Sequence, residues 1–238
     1  GAWKLNGTEL ENGKRRAAGE WLRLEEEAGI DIVTDGEQFR THFVHGFVEK
    51  IDGIDWDKKT VMGIRDNRYD LEVPTIIGPL SRPAPVHLEE VRFTRAQTKR
   101  RLKFTLPGPM TICDTIADEH YGSRPEMAMA FAELLNAEAK DLVSAGIDVI
   151  QFDEPAFNVF IDDVNDWGIA MLNRAIEGLK CTTAVHICYG YGIEENLKWK
   201  ETLGGEWRQY NAIFPAINES AVDQVSLECA GSRVPMSL

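Results

Sequence analysis

The sequence predicts an α/β protein built as a (β/α)8 barrel of the TIM type that is incomplete at one or both ends of this chain. Two observations lead to this fold class. Apolar strand candidates alternate with amphipathic helices, and glycines separate the two. Polar residues of ligand type follow nearly every strand, and a barrel gathers such strand ends at one face. An open, doubly wound sheet is the alternative, because it also binds ligands beyond the carboxyl ends of its strands.

The N-terminal half supplies the first units of this repeat. Apolar spacing predicts a helix over 8–28 that Gly29 ends, and then a buried strand from residue 30 that runs into an acidic loop. A short helix is predicted over 39–48. Residues 52–69 are polar and weakly patterned, which favours a hairpin or another excursion. Residues 73–78 form a strand candidate that could belong to the same hairpin, and prolines after it force a turn.

The C-terminal half repeats the alternation more clearly. Helices are predicted over 87–100, 124–145, 164–179 and 193–202, and strands over 103–106, 147–152, 182–188 and 222–228. With the two earlier candidates this makes six strands, which is fewer than a closed barrel needs. The sequence therefore predicts a single catalytic barrel domain over residues 1–238 whose terminal strands are missing.

Composition excludes several classes of function. The 238 residues are 43% hydrophobic and 27% charged, which is ordinary for a globular protein. A formal net charge of −13 makes nucleic acid and anionic membranes poor partners. Neither a membrane span nor a signal peptide is visible, so a cytoplasmic location is expected. Four irregularly spaced cysteines indicate reduced thiols or ligands and not a disulfide framework.

The most specific pattern of side chains lies in residues 184–190. His186 and Cys188 are two apart in a predicted strand, so they point to the same face. Imidazole nitrogen and thiolate sulfur are ligands that zinc prefers. A buried structural pair is the alternative, because free cysteine also packs as a small apolar residue. Glu37, Asp153 and Glu228 also follow predicted strands. The less favoured alternatives are a solvated loop carboxylate for Glu37, a strand-ending turn for Asp153 and an ion pair with a nearby arginine for Glu228.

Six segments taken together resemble the C-terminal catalytic barrel of cobalamin-independent methionine synthase. The match extends in order and spacing from about residue 28 to residue 232. Six segments in order are far more specific than any one motif. The segments are 34–37, 77–85, 107–112, 145–156, 186–189 and 226–228.

This resemblance implies a zinc site and an amino-acid site. It makes His186, Cys188 and Glu228 three of four zinc ligands, and the fourth would lie beyond Leu238. Cys229 is a poor substitute for that fourth ligand. It directly follows Glu228 on a predicted strand, so its side chain should point to the opposite face. Glu37 and Asp153 match the acidic residues that hold the amino group of homocysteine. The segment that grips the substrate carboxylate and the histidine proton donor of the family fall outside this chain, so no catalytic acid is assigned within it.

The function implied by the resemblance is transfer of a methyl group to the thiol of homocysteine, which gives methionine. Zinc would supply the nucleophile, since a coordinated thiol is deprotonated. Two departures leave the methyl donor open. Asp114 and Thr115 lie where the family has a tryptophan that stacks on folate. The folate-dependent members also have a glutamate after the Asp-Glu-Pro motif, and this chain has Val159 or a neighbouring residue at that position. Methylfolate and a methylated corrinoid are therefore both expected donors, the second with a possible corrinoid protein or accessory partner.

Two other classes remain as alternatives. A zinc-thiolate methyltransferase acting on another thiol, such as coenzyme M, would not need Glu37 and Asp153 to hold an ammonium group. A metal-free barrel of the uroporphyrinogen decarboxylase type would need cationic residues for its substrate carboxylates, which the net acidity and the His-x-Cys pair disfavour. The remaining candidates are expected to be packing, surface or local hydrogen-bonding residues, and they are Cys113, Cys181, His42, His45, His87, His120, Trp167, Trp199 and Trp207.

Overall fold

Five parallel strands form the main sheet of the protein. The computed structural model describes residues 4–190 and 192–238. The strands follow one another in the order β1, β4, β6, β7 and β8. Their bounds are β1 Ile32–Val33, β4 Arg101–Pro107, β6 Val149–Asp153, β7 Thr182–Ile187 and β8 Gln224–Leu227. The order increases in one direction without the reversal of a doubly wound sheet, and the curled sheet forms part of a TIM-type barrel, as predicted.

Helices cover the outside of this sheet. The two longest are α1 Gly7–Glu27 and α5 Arg124–Ser144. α5 begins where Ser123 accepts a hydrogen bond from the Glu126 N–H and Pro125 occupies the first turn, and Gly146 follows its end with a φ of +106°. The other helices are α2 His45–Val48, α3 Leu88–Gln97, α4 Pro109–Cys113, α6 Ile161–Asp163, α7 Ile169–Ile176, α8 Glu194–Thr202 and α9 Tyr210–Asn218.

Several helices differ from the prediction, and of the short helix expected over 39–48, for example, α2 covers only His45–Val48. The helix predicted over 164–179 consists of α6, a π-helical turn at Val164–Gly168 and then α7. A short 3-10 turn, Pro155–Asn158, precedes these pieces. α9 was not predicted, because Pro215 in its interior lacks the backbone N–H of a regular helix. The Tyr210 hydroxyl donates hydrogen bonds to the carbonyls of Ile187 and Glu228, which fixes this helix to the sheet.

A long antiparallel hairpin leaves the barrel between α2 and α3. It consists of β2 Asp52–Ile64 and β3 Tyr69–Ser81, and the short strand β5 Ala117–Asp118 runs parallel to β3. Residues 73–78 therefore belong to this hairpin and not to the barrel sheet, which was the alternative considered for this strand. Arg65, Asp66 and Asn67 form the turn with positive φ angles of +53°, +59° and +57°.

The core lies between the main sheet and its helices. Phe131 and Leu135 of α5 pack with Phe152 of β6, Leu172 of α7 and Val185 of β7, all fully buried. Such packing supplies most of the stability of the helices. No helix within residues 4–190 and 192–238 is both long and apolar enough to cross a membrane.

Candidate active site at the strand ends

A cavity of about 280 Å³ opens at the carboxyl ends of β6 and β7. Its floor includes Asp153 at the end of β6, and His186 and Cys188 at the end of β7. Asp153 and His186 are direct partners in the parallel ladder, which explains why their side chains share this floor. Glu37 joins them from the loop after β1. The structure thus brings together four of the five residues that the sequence singled out.

His186 and Cys188 present a nitrogen and a sulfur atom to the cavity. The His186 Nδ1 atom lies 3.0 Å from the Ser226 hydroxyl of β8. The other ring nitrogen, Nε2, is therefore the one that could bind a metal ion. Burial lowers the pKa of His186, which favours the neutral form of the imidazole. The Cys188 sulfur accepts a hydrogen bond from the Gly190 N–H at 3.4 Å, and burial raises the pKa of the thiol. A neutral imidazole oriented by a hydroxyl is a typical metal ligand.

Glu228 lies next to this pair but does not line the cavity. Its Oε2 atom accepts the Tyr189 N–H at 2.8 Å, its other oxygen accepts the Ser232 hydroxyl, and Lys200 Nζ lies 4.0 Å away. Within residues 4–190 and 192–238, no three His, Cys, Asp or Glu side chains are arranged to hold a metal ion. The nitrogen, sulfur and oxygen donors therefore fit zinc by type, whereas Glu228 would have to turn to complete the set.

Glu37 and Asp153 form the acidic part of the site. The Glu37 Oε1 atom accepts the Thr105 hydroxyl at 2.6 Å, and Arg40 Nη2 lies 3.9 Å from it. The Asp153 Oδ1 atom accepts the Gln151 side-chain N–H at 2.8 Å. Burial, together with the negative charge of Glu37, raises the pKa of Asp153 to about 6. A cationic ligand would relieve this repulsion, so the pair suits an ammonium group.

The hairpin and α8 form the opposite wall. Arg65 and Arg68 at the hairpin tip line the cavity, as does Trp199 of α8. Arg65 donates backbone and side-chain hydrogen bonds to the Asp114 carboxylate, and the Arg68 guanidinium lies 3.3 Å from the centre of the Trp199 ring. Asp114 is thus a buried ion-pair partner of the hairpin. The wall combines apolar, aromatic and cationic groups.

Several cavity residues were not identified from the sequence. His42 is exposed and accepts local hydrogen bonds, as expected, but its place in the cavity lining was not predicted, and neither was that of His45 or Trp199. His87 is buried, with Nδ1 3.1 Å from Glu90, and is therefore a local hydrogen-bonding residue, which is one of the two roles expected for it. Cys113 lies in the core, as expected. No local sequence pattern predicts that the arginines of the hairpin tip line the cavity, because their position depends on how the hairpin packs against the barrel.

The fold and the cavity define an α/β barrel protein whose candidate site lies at the carboxyl ends of its strands. The chain belongs to the family described as the cobalamin-independent synthase catalytic domain, which matches residues 2–236.

Similar proteins agree with this family. The methionine synthase of Sulfolobus acidocaldarius is 33% identical over 228 residues, which are 95% of this chain and 60% of that protein. The methionine synthase of Saccharolobus solfataricus is 31% identical over 201 residues, which are 84% of this chain and 54% of that protein. This chain therefore spans somewhat over half the length of these curated relatives.

Two solved structures extend the comparison. A B12-independent methionine synthase from Shewanella sp. W3-18-1 is 58% identical, has a TM-score of 0.93, and is matched over 99% of this chain and 69% of that chain. A methyltransferase from Methanosarcina mazei is 15% identical with a TM-score of 0.53, over 96% of this chain and 82% of that chain. At this low sequence identity, the similarity to the Methanosarcina mazei methyltransferase shows only that the two chains share a fold.

Proposed function

We propose that this chain is the catalytic part of a methyltransferase that methylates the thiol of homocysteine to give methionine. The observation that carries this proposal is the arrangement of Glu37, Asp153, His186 and Cys188 around one cavity. Membership of the cobalamin-independent synthase family supports it. The Shewanella relative was solved in complex with selenomethionine, which has the skeleton of the proposed product.

The acidic pair would bind the amino end of homocysteine. A bound ammonium group favours the charged form of Asp153, whose pKa is otherwise raised by burial and by Glu37. Two carboxylates fix the direction of the ammonium group, and they thereby fix where the thiol lies relative to His186 and Cys188. Arg40 lies 3.9 Å from Glu37, but a thiol without an amino group would bring no ammonium group for the two carboxylates to bind. The pair therefore favours homocysteine over a thiol such as coenzyme M.

The His186 and Cys188 end of the cavity would bind the thiol through zinc. Both side chains are of the type that zinc prefers, and the Ser226 hydroxyl orients the imidazole from behind. Glu228 is proposed as a third ligand, which requires its carboxylate to turn away from the Tyr189 N–H. When bound, zinc would hold the substrate sulfur as a thiolate, which is the nucleophilic form.

The methyl donor would enter along the wall formed by the hairpin and α8. A methylfolate and a methylated corrinoid are both proposed as donors, the second delivered by a corrinoid protein or other accessory partner. We expect the reaction to take place in the cytoplasm.

The experiment that tests the zinc proposal is metal analysis of the purified protein and matched variants. About one zinc per chain is expected for a catalytic site of this type, and His186→Ala and Cys188→Ser should both lose it. Cys181→Ser is the control, because this half-buried cysteine does not line the cavity and should leave the zinc content unchanged. Well-folded, reduced wild-type protein that takes up no zinc would contradict the proposal.

A further inference from the structure

His42, in the loop before α2, has a fixed pattern of hydrogen bonds. Its Nδ1 atom accepts the backbone N–H groups of Val44 and His45, each at 3.2 Å. Both partners are donors, so Nδ1 must carry a lone pair and the proton of the neutral ring must be on Nε2. The backbone of α2 therefore selects one tautomer of this imidazole.

The Nε2–H group of His42 is available to a ligand. Nε2 lies across the ring from Nδ1 and so points away from the backbone of α2. The ring lines the cavity, and no described residue, within 4–190 and 192–238, accepts a hydrogen bond from Nε2. This tautomer therefore leaves a hydrogen-bond donor on a ring that lines the cavity.

The surroundings of His42 keep the ring neutral. A proton on Nδ1 would break both backbone hydrogen bonds. The His45 ring lies 4.5 Å away, centre to centre, and partial burial, His45 and the Arg65 cation all lower the pKa of His42, with only Glu37 acting in the opposite direction. A neutral imidazole N–H donates a hydrogen bond but does not give up its proton, because an imidazolate is too basic.

The position of His42 indicates which reactant it meets. Asp153, His186 and Cys188 come from adjacent strand ends and form the floor, where the proposed amino acid binds. His42 comes from a loop and lies near Arg65 of the hairpin tip. A second reactant that approaches the sulfur from the open side would have its leaving atom on the side of the loop and hairpin.

We propose that His42 donates a hydrogen bond from Nε2–H to the leaving atom of the methyl donor, and that this atom is an amine nitrogen. This inference rests on the proposed function. The sulfur lone pair forms the new S–CH3 bond, the N–CH3 bond breaks, and its electron pair goes to the nitrogen. His42 keeps its proton and stabilises that pair, while the proton lost by the homocysteine thiol reaches the nitrogen through solvent.

Two substitutions separate this role from the structural role of the Nδ1 atom. In His42→Asn, the side-chain oxygen can still accept the α2 N–H groups, but the Nε2–H donor is lost. In His42→Gln, an amide N–H lies near the position of Nε2, but the acceptor for the α2 backbone is lost. The pair therefore distinguishes catalysis from local stability.

The kinetic test uses zinc-loaded full-length protein with homocysteine and 5-methyltetrahydropteroyl triglutamate. We expect His42→Asn to keep the thermal midpoint of the wild type and to lower kcat about 10- to 100-fold, with KM for homocysteine almost unchanged. His42→Gln should retain a larger kcat than His42→Asn although it is less stable. His120→Asn, an exposed site outside the cavity, is the control. A wild-type kcat in His42→Asn, or a change confined to KM for homocysteine, would overturn the proposal.

Methylcobalamin as a second donor separates this inference from the proposed function. Cobalt as the leaving atom takes no hydrogen bond from an imidazole. Turnover with methylcobalamin alone, equal in wild type and His42→Asn, would overturn the role of His42 and leave the proposed function standing. No turnover with either donor would overturn both.

A third measurement does not depend on activity. Nitrogen-15 NMR of histidine-labelled, zinc-free protein reports the tautomer of each ring, and His42 is identified by the signal missing from His42→Asn. We expect the neutral Nε2–H form of His42 between pH 6 and pH 8. An Nδ1–H form or a charged ring in that range would overturn the proposal even if the wild-type protein is active.

Discussion

Asp153 illustrates, at the scale of a residue, how a binding group reduces stability. Its folded-state pKa is raised to about 6, mainly by burial and then by Glu37. Between pH 4 and pH 6 the folded protein therefore keeps a proton that the unfolded chain has released. The free energy of unfolding falls as the pH rises through this range, by about 2–3 kcal/mol in all, and the loss persists at higher pH.

Asp153→Asn should therefore stabilise the free protein at pH 8. The amide oxygen can still accept the Gln151 hydrogen bond, and no buried charge has to form. The gain should shrink as the pH falls towards 4, because the wild-type carboxyl is then protonated. Urea denaturation of both proteins at pH 4, 6 and 8 measures this, and a variant that is less stable than wild type at pH 8 would contradict it. The same variant should raise KM for homocysteine about 10-fold or more, through loss of a charged contact to the ammonium group.

Gly108 is needed because a buried carboxyl fills the space beside it. Glu154 is fully buried and accepts the N–H groups of Met110 and Thr111 and the Thr111 hydroxyl at 2.7–3.0 Å. Burial still raises its pKa to about 7. A Cβ atom on residue 108 would lie 2.0 Å from the Glu154 carboxyl carbon, so the carboxyl would have to leave these donors.

Gly108→Ala is therefore expected to lower the free energy of unfolding by about 1–3 kcal/mol. Gly19→Ala is the matched control, since nothing lies within 4 Å of that position in α1. It should raise the stability by about 0.5–1 kcal/mol, because alanine favours the helix over glycine. Thermal denaturation of the two variants compares them, and equal stability of Gly108→Ala and wild type would show that Glu154 can move.

Single residues of the site could be predicted where a strand determines their direction. Alternation placed His186 and Cys188 on one face, and the strand-end pattern marked Glu37 and Asp153. Glu228 follows the predicted strand, but its side-chain hydrogen bonds to Tyr189 and Ser232 depend on a loop conformation that no strand pattern describes. His42 was expected to be a surface or local hydrogen-bonding group, and its exposed ring and the two hydrogen bonds to Nδ1 agree with this.

The β2–β3 hairpin is the element that completes the cavity. Its tip is fixed to the barrel by Arg65, whose guanidinium and backbone N–H bind the Asp114 carboxylate. The side chains of this pair are only 12% and 4% exposed. At the far side of the hairpin, Lys58 and Glu119 form a second pair with side chains that are 44% and 52% exposed.

Asp114→Ala should therefore destabilise the protein far more than Lys58→Ala. Removal of one partner leaves the Arg65 charge partly buried and unpaired, which costs about 3 kcal/mol, whereas an exposed pair contributes about 0–1 kcal/mol. Hydrogen exchange at residues 64–69 should become faster in Asp114→Ala and stay unchanged in Lys58→Ala. If both substitutions have the same small effect, the ion pair does not hold the hairpin on the site.

Elements with a regular pattern were predicted well from the sequence, and irregular ones were not. The apolar spacing of α5 defined both of its ends to within a residue or two. The hairpin carried too weak a pattern to fix its length, because its faces are largely half-exposed. α9 contains a proline and depends on the buried Tyr210 hydroxyl for its position, which only the tertiary fold reveals.

The whole molecule is the arc of a barrel with an added hairpin. The order of its parallel strands follows from the helix, glycine and strand repeat, and the polar strand ends then meet at one face by the geometry of the fold. The floor of the cavity is therefore implied by the sequence, whereas the wall of hairpin and α8 is not. This division matches the proposed chemistry, in which the floor holds the amino acid and the wall meets the methyl donor.

The proposed function requires the substrate sulfur to bind zinc at the end of β7. X-ray absorption at the zinc edge, on zinc-loaded protein with and without homocysteine, measures this binding. We predict one more sulfur neighbour of zinc when homocysteine is added. An unchanged sulfur count on addition of homocysteine that is bound at saturation would contradict thiolate formation at this site.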